Sequence, residues 1–297
     1  MIKPLSLCYN PIFIIGNPRS GTTLLRLILT CHKSICIPPE CSWLVFKYFT
    51  WKDFTYSPAN IASFLEDLFT PATRKIETWN LDKQALDNYL NSLKPNTYQE
   101  LSSAIYTYYM KKTGKEKVRW GDKNNVYLRH VTDLHTIFSE AQFVHIIRDP
   151  RGVVNSYKNL VQYKQSLPGN RYVPSLPSTA EEAAQHWLAN IKEIEKQAAG
   201  LAKNNLITVR YEDLLLQPTK TMKFVCSSLG EHFHKSMLDF YTSTGQLEPQ
   251  ETIPWKIKTL SPIDPTNTIK WQAELSSTEV NTITHITKSY MDKYLYE

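Results

Sequence analysis

The sequence predicts an α/β fold in three layers, a central parallel sheet flanked by helices. Three observations carry this. Four short, apolar, β-branched-rich runs, at 12–15, 34–37, Gln142–Ile147 and 206–209, are separated by stretches of helical periodicity, the pattern of parallel strands joined by crossover helices. The first run feeds a Gly/Pro-rich turn at 16–21 and then an apolar helix start, the layout of a phosphate-binding loop, which narrows the class to a P-loop three-layer fold. The chain is 297 residues long, enough to bury a large core, and shows no internal repeat, low-complexity tract or linker, so it is expected to form one domain, 1–297.

The elements follow in order. IFII at 12–15 reads as a buried strand, and 22–29 as a helix that is apolar nearly all round and therefore buried. The stretch 57–113 is expected to be a mostly helical insertion rich in tyrosine, and 126–138 a helix. After the strand Gln142–Ile147, one helical face gathers Val153, Val154, Tyr157, Leu160 and Val161. The next gathers Ala183, Ala184, Trp187, Leu188, Ile191 and Ile194, with Ser178 and Glu181 as its capping box. Ser276 and Glu279 make a second capping box before Val280, Ile283, Ile286, Tyr290 and Tyr294. Segments 165–177 and 245–268 are rich in Pro, Ser and Thr and read as loops.

The formal charge of +6 suits an anionic ligand, but the basic residues are spread along the chain and form no nucleic-acid arm. Five cysteines, at 8, 31, 36, 41 and 226, are an odd number, which argues for reduced thiols and a cytoplasmic setting. The gaps between Cys31, Cys36 and Cys41 are longer than those of zinc knuckles, and no metal site is expected. MIKPLSLCYN at 1–10 is too short and too broken by Pro4 for a signal segment, and no apolar stretch reaches membrane-spanning length.

Chemistry begins at PIFIIGNPRSGTTLL, residues 11–25. The Gly16 to Gly21 spacing matches G-x-x-x-x-G-K-[ST], but Thr22 stands where the lysine belongs. The basic residue is Arg19, earlier in the loop. Such a loop keeps the phosphate cradle and discards the lysine that an ATPase or kinase places on its β- and γ-phosphates. A second constellation is FVHIIRDPRGVVNSY, residues 143–157. Asp149 at a strand end suggests a magnesium ligand, yet Arg148 and Arg151 flank it and would repel the ion. Arg148 and Ser156 are instead spaced to converge on a phosphate, while Asp149 caps the helix and pairs with Arg151.

Together these motifs resemble those of the sulfotransferases that use 3′-phosphoadenosine 5′-phosphosulfate (PAPS). PRSGTTLL at 18–25 is similar to their 5′-phosphosulfate loop and RDPRGVVNSY at 148–157 to their 3′-phosphate motif, in the same order. WGDK at 120–123, VRYEDLL at 209–215 and IKW at 269–271 extend the resemblance, which is weakest across 45–115 and 160–205. The resemblance implies that Arg19, Ser20, Gly21, Thr22 and Thr23 bind the 5′-phosphosulfate and that Arg148 and Ser156 bind the 3′-phosphate. It further implies that Tyr211 lies near the adenosine and that Lys270 reaches a phosphate. The likeness is closer to the protein-tyrosine, carbohydrate and bacterial members than to the cytosolic members that use a histidine base. Where those members place that histidine, two residues after the site lysine Lys123, this chain has Asn125.

A carboxylate base is expected instead. Counting forward from Arg19 in the tyrosine-type pattern reaches Glu40, at a predicted strand end, where Lys123 and Arg19 would hold it ionised. Glu40, Lys123 and Arg19 are the expected catalytic residues, with His130, His32 and Asp122 as reserve bases. Sulfuryl transfer needs positive charge on the leaving phosphate and no metal. The acceptor is a hydroxyl: a sugar, lipid headgroup, phenol, peptide tyrosine or other alcohol, facing segments 42–60, 160–177 and 245–265. A P-loop kinase using ATP and magnesium, a non-catalytic nucleotide-binding protein and an RNA-binding module are the alternatives. The first lacks its lysine at position 22. The second is opposed by Glu40 and Lys123, and the third by tyrosines that sit in no RNA-reading strand.

Overall fold

The computed structural model describes residues 10–70, 75–114, 119–166 and 173–296. Cys8 and most of the N-terminal segment therefore lie outside the described residues, as does 167–172 within the expected loop 165–177.

Five parallel strands form one sheet: β1 (Ile12–Ile15), β2 (Ile35–Cys36), β3 (Arg119–Lys123), β4 (Gln142–Ile147) and β5 (Leu206–Arg210), in the order β2-β3-β1-β4-β5. Strand residues alternate between two cores, as the two-residue period requires. Phe13, Ile15, Trp120, Phe143 and Ile147 pack on one face with Tyr157, Trp187 and the insertion helices. Ile12, Ile14, Ile35, Val144, Ile146 and Val209 pack on the other with Leu25, Ile28, Met222 and Val225. This is the expected three-layer arrangement.

The fifth strand was not legible in the sequence. β3 reads RWGDK, neither apolar nor β-branched, yet all five residues are buried. Each polar group in it is paired. The Arg119 guanidinium donates to the Asn10 carbonyl (2.7 Å), the Leu229 carbonyl (2.8 Å) and Gln142 (2.6 Å). Asp122 accepts from the hydroxyls of Tyr106 and Tyr127. Trp120 stacks on Tyr106 with ring centroids 4.0 Å apart. Gly121 faces β1 so closely that a Cβ there would stand 2.6 Å from the Ile12 carbonyl oxygen.

Several boundaries differ from expectation. The expected strand 34–37 contracts to Ile35–Cys36. The first capping box is formed by Thr179 and Glu182, not Ser178 and Glu181. Both pairs fit the pattern, and the helix begins one residue later, at Ala180. The expected helix 126–138 is a 3₁₀ turn, Asn125–Arg129, and a short α-helix, Val131–Ile137, broken at His130 (φ −129°, ψ 23°). Segment 245–268 is a chain of short turns, Gln250–Trp255, Ile257–Leu260 and Pro265–Thr268, rather than open loop. The Ser276–Glu279 capping box opens the helix Ser277–Lys293 as expected. Among the described residues no helix is long and apolar enough to cross a membrane.

Candidate active site

The carboxyl ends of the parallel strands lie along one edge, where open α/β sheets hold their ligands. β1 leads into the loop 16–21, β2 into Glu40, β4 into Arg148 and β5 into Tyr211, while Lys123 is the last residue of β3. One cleft at this edge is lined by Arg19, Gly21, Thr22, Thr23, Glu40, Lys123, Arg148, Ser156, Tyr211 and Lys270.

The loop is built for an anion. Arg19 (φ 68°) and Gly21 (φ 95°) adopt left-handed backbone, which turns the chain sharply into the helix Thr22–Thr30. The first intrahelical bond is donated by the Leu25 amide to the Gly21 carbonyl, at 3.0 Å. The amides before it, of Thr22, Thr23 and Leu24, have no intrahelical acceptor and head the helix dipole. A side chain at position 21 would collide with the Tyr211 ring, 2.5 Å from Cδ2.

Two arginines converge beside the loop. Arg19 Nε donates to Ser156 Oγ at 3.1 Å, and Arg148 Nη1 donates to the Arg19 carbonyl at 3.0 Å. The Arg148 guanidinium also stacks over Tyr211, 4.4 Å from the ring centre, and donates to the Asn267 carbonyl at 3.2 Å. Among the described residues neither arginine forms a salt bridge with a carboxylate. Burial, reinforced by Arg148, pushes the Arg19 guanidinium down to about 10. Two crowded guanidiniums of this kind fit a phosphate-bearing ligand.

At the other end of the cleft Glu40 carries two cations. Lys123 Nζ donates to Glu40 Oε2, and Lys75 Nζ to Oε1 at 3.2 Å. Burial pushes the Glu40 carboxyl up, but Lys123, Lys75 and Lys256 together pull it well below the ordinary carboxylate range. These lysines are the charges that act most strongly on it.

Other expected residues fall elsewhere. The Ser20 side chain is fully buried, does not line the cleft, and its hydroxyl has no partner among the described residues. Its amide closes the turn on the Asn17 carbonyl at 3.1 Å. Lys270 lines the cleft but is more than a third exposed and pairs with Asp264 at 3.2 Å. Asp149 binds Arg151 (2.7 Å) and that residue's amide (2.8 Å), so it is spent on the helix start. None of the reserve bases lines the cleft. His32 lies past the far end of the loop helix and contacts the His232 carbonyl at 2.8 Å. His130 pairs with Asp133 at 2.8 Å. Asp122 is sealed under Tyr106 and Tyr127; burial pushes it up to about 7 while those hydroxyls pull it down. Helix Trp43–Trp51, within the expected acceptor segment 42–60, does not line the cleft, whereas Leu160, Tyr163, Pro174, Trp255 and Ile257 do.

Sequence reasoning missed Lys75, Lys256 and Lys258, all in the cleft wall. They sit in short turns or next to them, where no periodicity marks which side chains face inward.

Fold and site define a P-loop α/β protein whose loop has threonine in place of the lysine and draws its cations from Arg19 and Arg148. The sequence matches the sulfotransferase family over residues 11–235, and the chain belongs to that family. It is 23% identical over 294 residues to nodulation protein NoeE of Sinorhizobium fredii, covering 96% of this chain and 64% of that protein. It is 24% identical over 221 residues to protein-tyrosine sulfotransferase A of Caenorhabditis elegans, covering 73% of this chain and 49% of that one. The chain thus spans under two thirds of the length of these relatives. Among solved structures, the sulfotransferase domain of the Synechococcus PCC 7002 olefin synthase shares the fold with a TM-score of 0.62 at 24% identity, covering 96% of this chain and 97% of that domain. The sulfotransferase domain from the curacin biosynthetic pathway does so at 0.59 and 22% identity, covering 95% and 99%.

Proposed function

We propose that the chain transfers the sulfuryl group of PAPS to a hydroxyl acceptor, with Glu40 as general base and without a metal. The observation that carries this reading is one cleft holding a carboxylate–lysine pair at one end and two uncompensated arginines beside a phosphate loop at the other. Arg19 and the amides of Thr22 and Thr23 take the 5′-phosphosulfate, with Gly21 allowing the close approach. Arg148 and Ser156 take the 3′-phosphate, with Lys270 at its rim and Tyr211 beside the adenosine. Ser20 contributes its place in the turn.

In the transfer, the acceptor oxygen forms a bond to sulfur as the bond from sulfur to the 5′-phosphate oxygen breaks. Glu40 receives the acceptor proton, and Lys123 neutralises the charge left on the phosphate oxygen. The product nucleotide is adenosine 3′,5′-bisphosphate (PAP). Supporting the assignment, Lys123 is the strongest of the charges that hold Glu40 ionised and lines the same cleft as the phosphate loop. An acceptor drawn from sugars, lipid headgroups, phenols, peptide tyrosines or other alcohols, one compact domain, and a cytoplasmic location inferred from the odd cysteine count, belong to the same proposal.

The test is a thermal-shift titration with PAP beside ATP·Mg²⁺, followed by PAPS turnover against a panel of acceptor classes. At about 100 times its dissociation constant PAP should add about 2.7 kcal/mol of stability with no added metal. A shift with ATP·Mg²⁺ and none with PAP would refute the reading.

A further inference from the structure

Arg26, one turn beyond the phosphate loop, has a side chain only 1% exposed. It donates to the Ile37 carbonyl at 2.9 Å, three residues before Glu40, and to the Leu247 carbonyl at 3.0 Å, and it pairs with Glu248. The Glu248 side chain is 2% exposed, and its second oxygen accepts from Lys256 Nζ at 2.6 Å and from Thr252 Oγ1 at 3.1 Å. Lys256 stands in the wall of the cleft with Glu40 and Lys123. One chain, Arg26–Glu248–Lys256, buried at its first two members and 12% exposed at the lysine side chain, therefore ties three things together: the helix of the phosphate loop, the strand end that presents Glu40, and an ammonium group at the same end of the cleft.

Burying the Arg26–Glu248 pair is a poor way to gain stability, because desolvation consumes most of the Coulombic gain. What the chain accomplishes is placement. Lys256 interacts with the charges of both Glu40 and Lys123, and the group in transit must lie between the acceptor oxygen at Glu40 and the leaving oxygen at Lys123. An ammonium has three N–H donors, and Glu248 and Thr252 engage two of those of Lys256.

We propose that Lys256 is a further catalytic cation that contacts the sulfuryl oxygens during transfer, and that Glu248, held by Arg26, is its positioning residue. This rests on the sulfotransferase reading above. Lys256 donates a hydrogen bond to an oxygen of the sulfuryl group while the bond to the acceptor forms and the bond to the phosphate breaks. It keeps its own proton throughout. The charges that act most strongly on Lys256 are Glu248 and Glu40, which favour its charge, and Lys123, which opposes it. Burial pushes the amine down to about 8, so its charge is open to titration.

The experiment compares wild type, K256M, K256R and E248Q for PAP affinity, PAPS affinity and turnover. PAP lacks the sulfuryl group, so K256M should leave PAP affinity within about twofold of wild type while PAPS binds more weakly and kcat falls roughly 10²-fold. E248Q should move PAPS affinity and kcat in the same direction by less. K256R should retain part of the activity and carry the alkaline limb of the kcat profile to higher pH, because arginine does not titrate there. Equal weakening of PAP and PAPS by K256M, or an unchanged kcat, would overturn the proposal. If K256M does not fold, an alkaline limb in K256R identical to that of wild type overturns it instead. Failure of the sulfotransferase reading itself would show earlier, as wild type that neither binds PAP nor turns over PAPS.

Discussion

Lys123 Nζ donates to Glu40 Oε2, joining the last residue of β3 to a residue just beyond β2, with the lysine side chain only 2% exposed. The pair is poised in a particular way. With Lys75 on its other oxygen, Glu40 is firmly ionised and correspondingly weak as a base. In the proposed transfer Lys123 would turn to the leaving phosphate oxygen and neutralise Glu40 less, so the proton affinity of the carboxylate would climb when a proton has to be taken.

E40Q keeps an oxygen for Lys123 to bind but loses the ability to accept a proton. PAP affinity should change little, while turnover falls by on the order of 10²–10⁴. Near-normal turnover with an aliphatic alcohol would place the base elsewhere.

K123A removes the strongest of the charges that depress Glu40. The sign follows directly: with less positive charge the Glu40 pKa rises, so the acid limb of kcat/KM should move to higher pH as turnover drops. A phenol of low pKa should rescue E40Q more than K123A, since it needs the base less and the leaving-group charge just as much. An acid limb that stays where wild type has it would separate Glu40 from the reaction.

R148A tests the 3′-phosphate end. On the proposed roles, losing the stack on Tyr211 should weaken any adenosine nucleotide, whereas the charged contact to a 3′-phosphate is one that PAP alone of the two nucleotides would make. Titrations should show PAP weakened beyond adenosine 5′-phosphate by about 1.5–3 kcal/mol, the worth of a hydrogen bond to a charged group. Equal losses for the two nucleotides would remove Arg148 from that role.

G21A combines a left-handed backbone (φ 95°) with a Cβ that meets the Tyr211 ring at 2.5 Å. The backbone alone costs about 1–2 kcal/mol, and the clash pushes Tyr211 away from Arg148. Both Tm and PAP affinity should fall; a Tm equal to that of wild type would mean that the loop rearranges without cost.

Asp122 predicts a pH dependence of stability. Burial raises it to about 7 in the folded chain, above its ordinary carboxylate value. A group of this kind leaves stability intact below its unfolded pKa and erodes it as pH rises from about 4 toward 7. Wild type should therefore lose Tm over that window relative to D122N, and parallel Tm curves for the two proteins would contradict the assignment.

What was legible in the sequence had local form. IFII followed by GNPRSG is strand, turn and helix start in consecutive residues, and Arg148 and Ser156 lie on one short strand-to-helix segment. The pairing of Glu40 with Lys123 was suggested only through a family pattern. β3 stayed hidden because its stability comes from partners far away in the chain: Asn10, Leu229 and Gln142 for Arg119, Tyr106 for Trp120 and Asp122. No window of RWGDK contains them. Lys256 was hidden for the same reason, since what turns it inward is Glu248, and what fixes Glu248 is Arg26, more than two hundred residues earlier.

The bond from Tyr106 to Asp122 has a consequence for how this scaffold can diversify. Tyr106 belongs to the insertion helix Tyr98–Lys112, and Asp122 immediately precedes Lys123. The insertion is therefore joined from beneath to the strand that carries Lys123, as a foundation is to the wall above it. Exchanging it wholesale for a foreign insertion would remove the hydroxyl and the stacked ring that set β3, and the lysine would drift with the strand. Under the proposed function, acceptor preference is more accessible through Leu160, Tyr163 and Pro174, which border the cleft and neither carry Lys256 nor join the Tyr106–Asp122 contact.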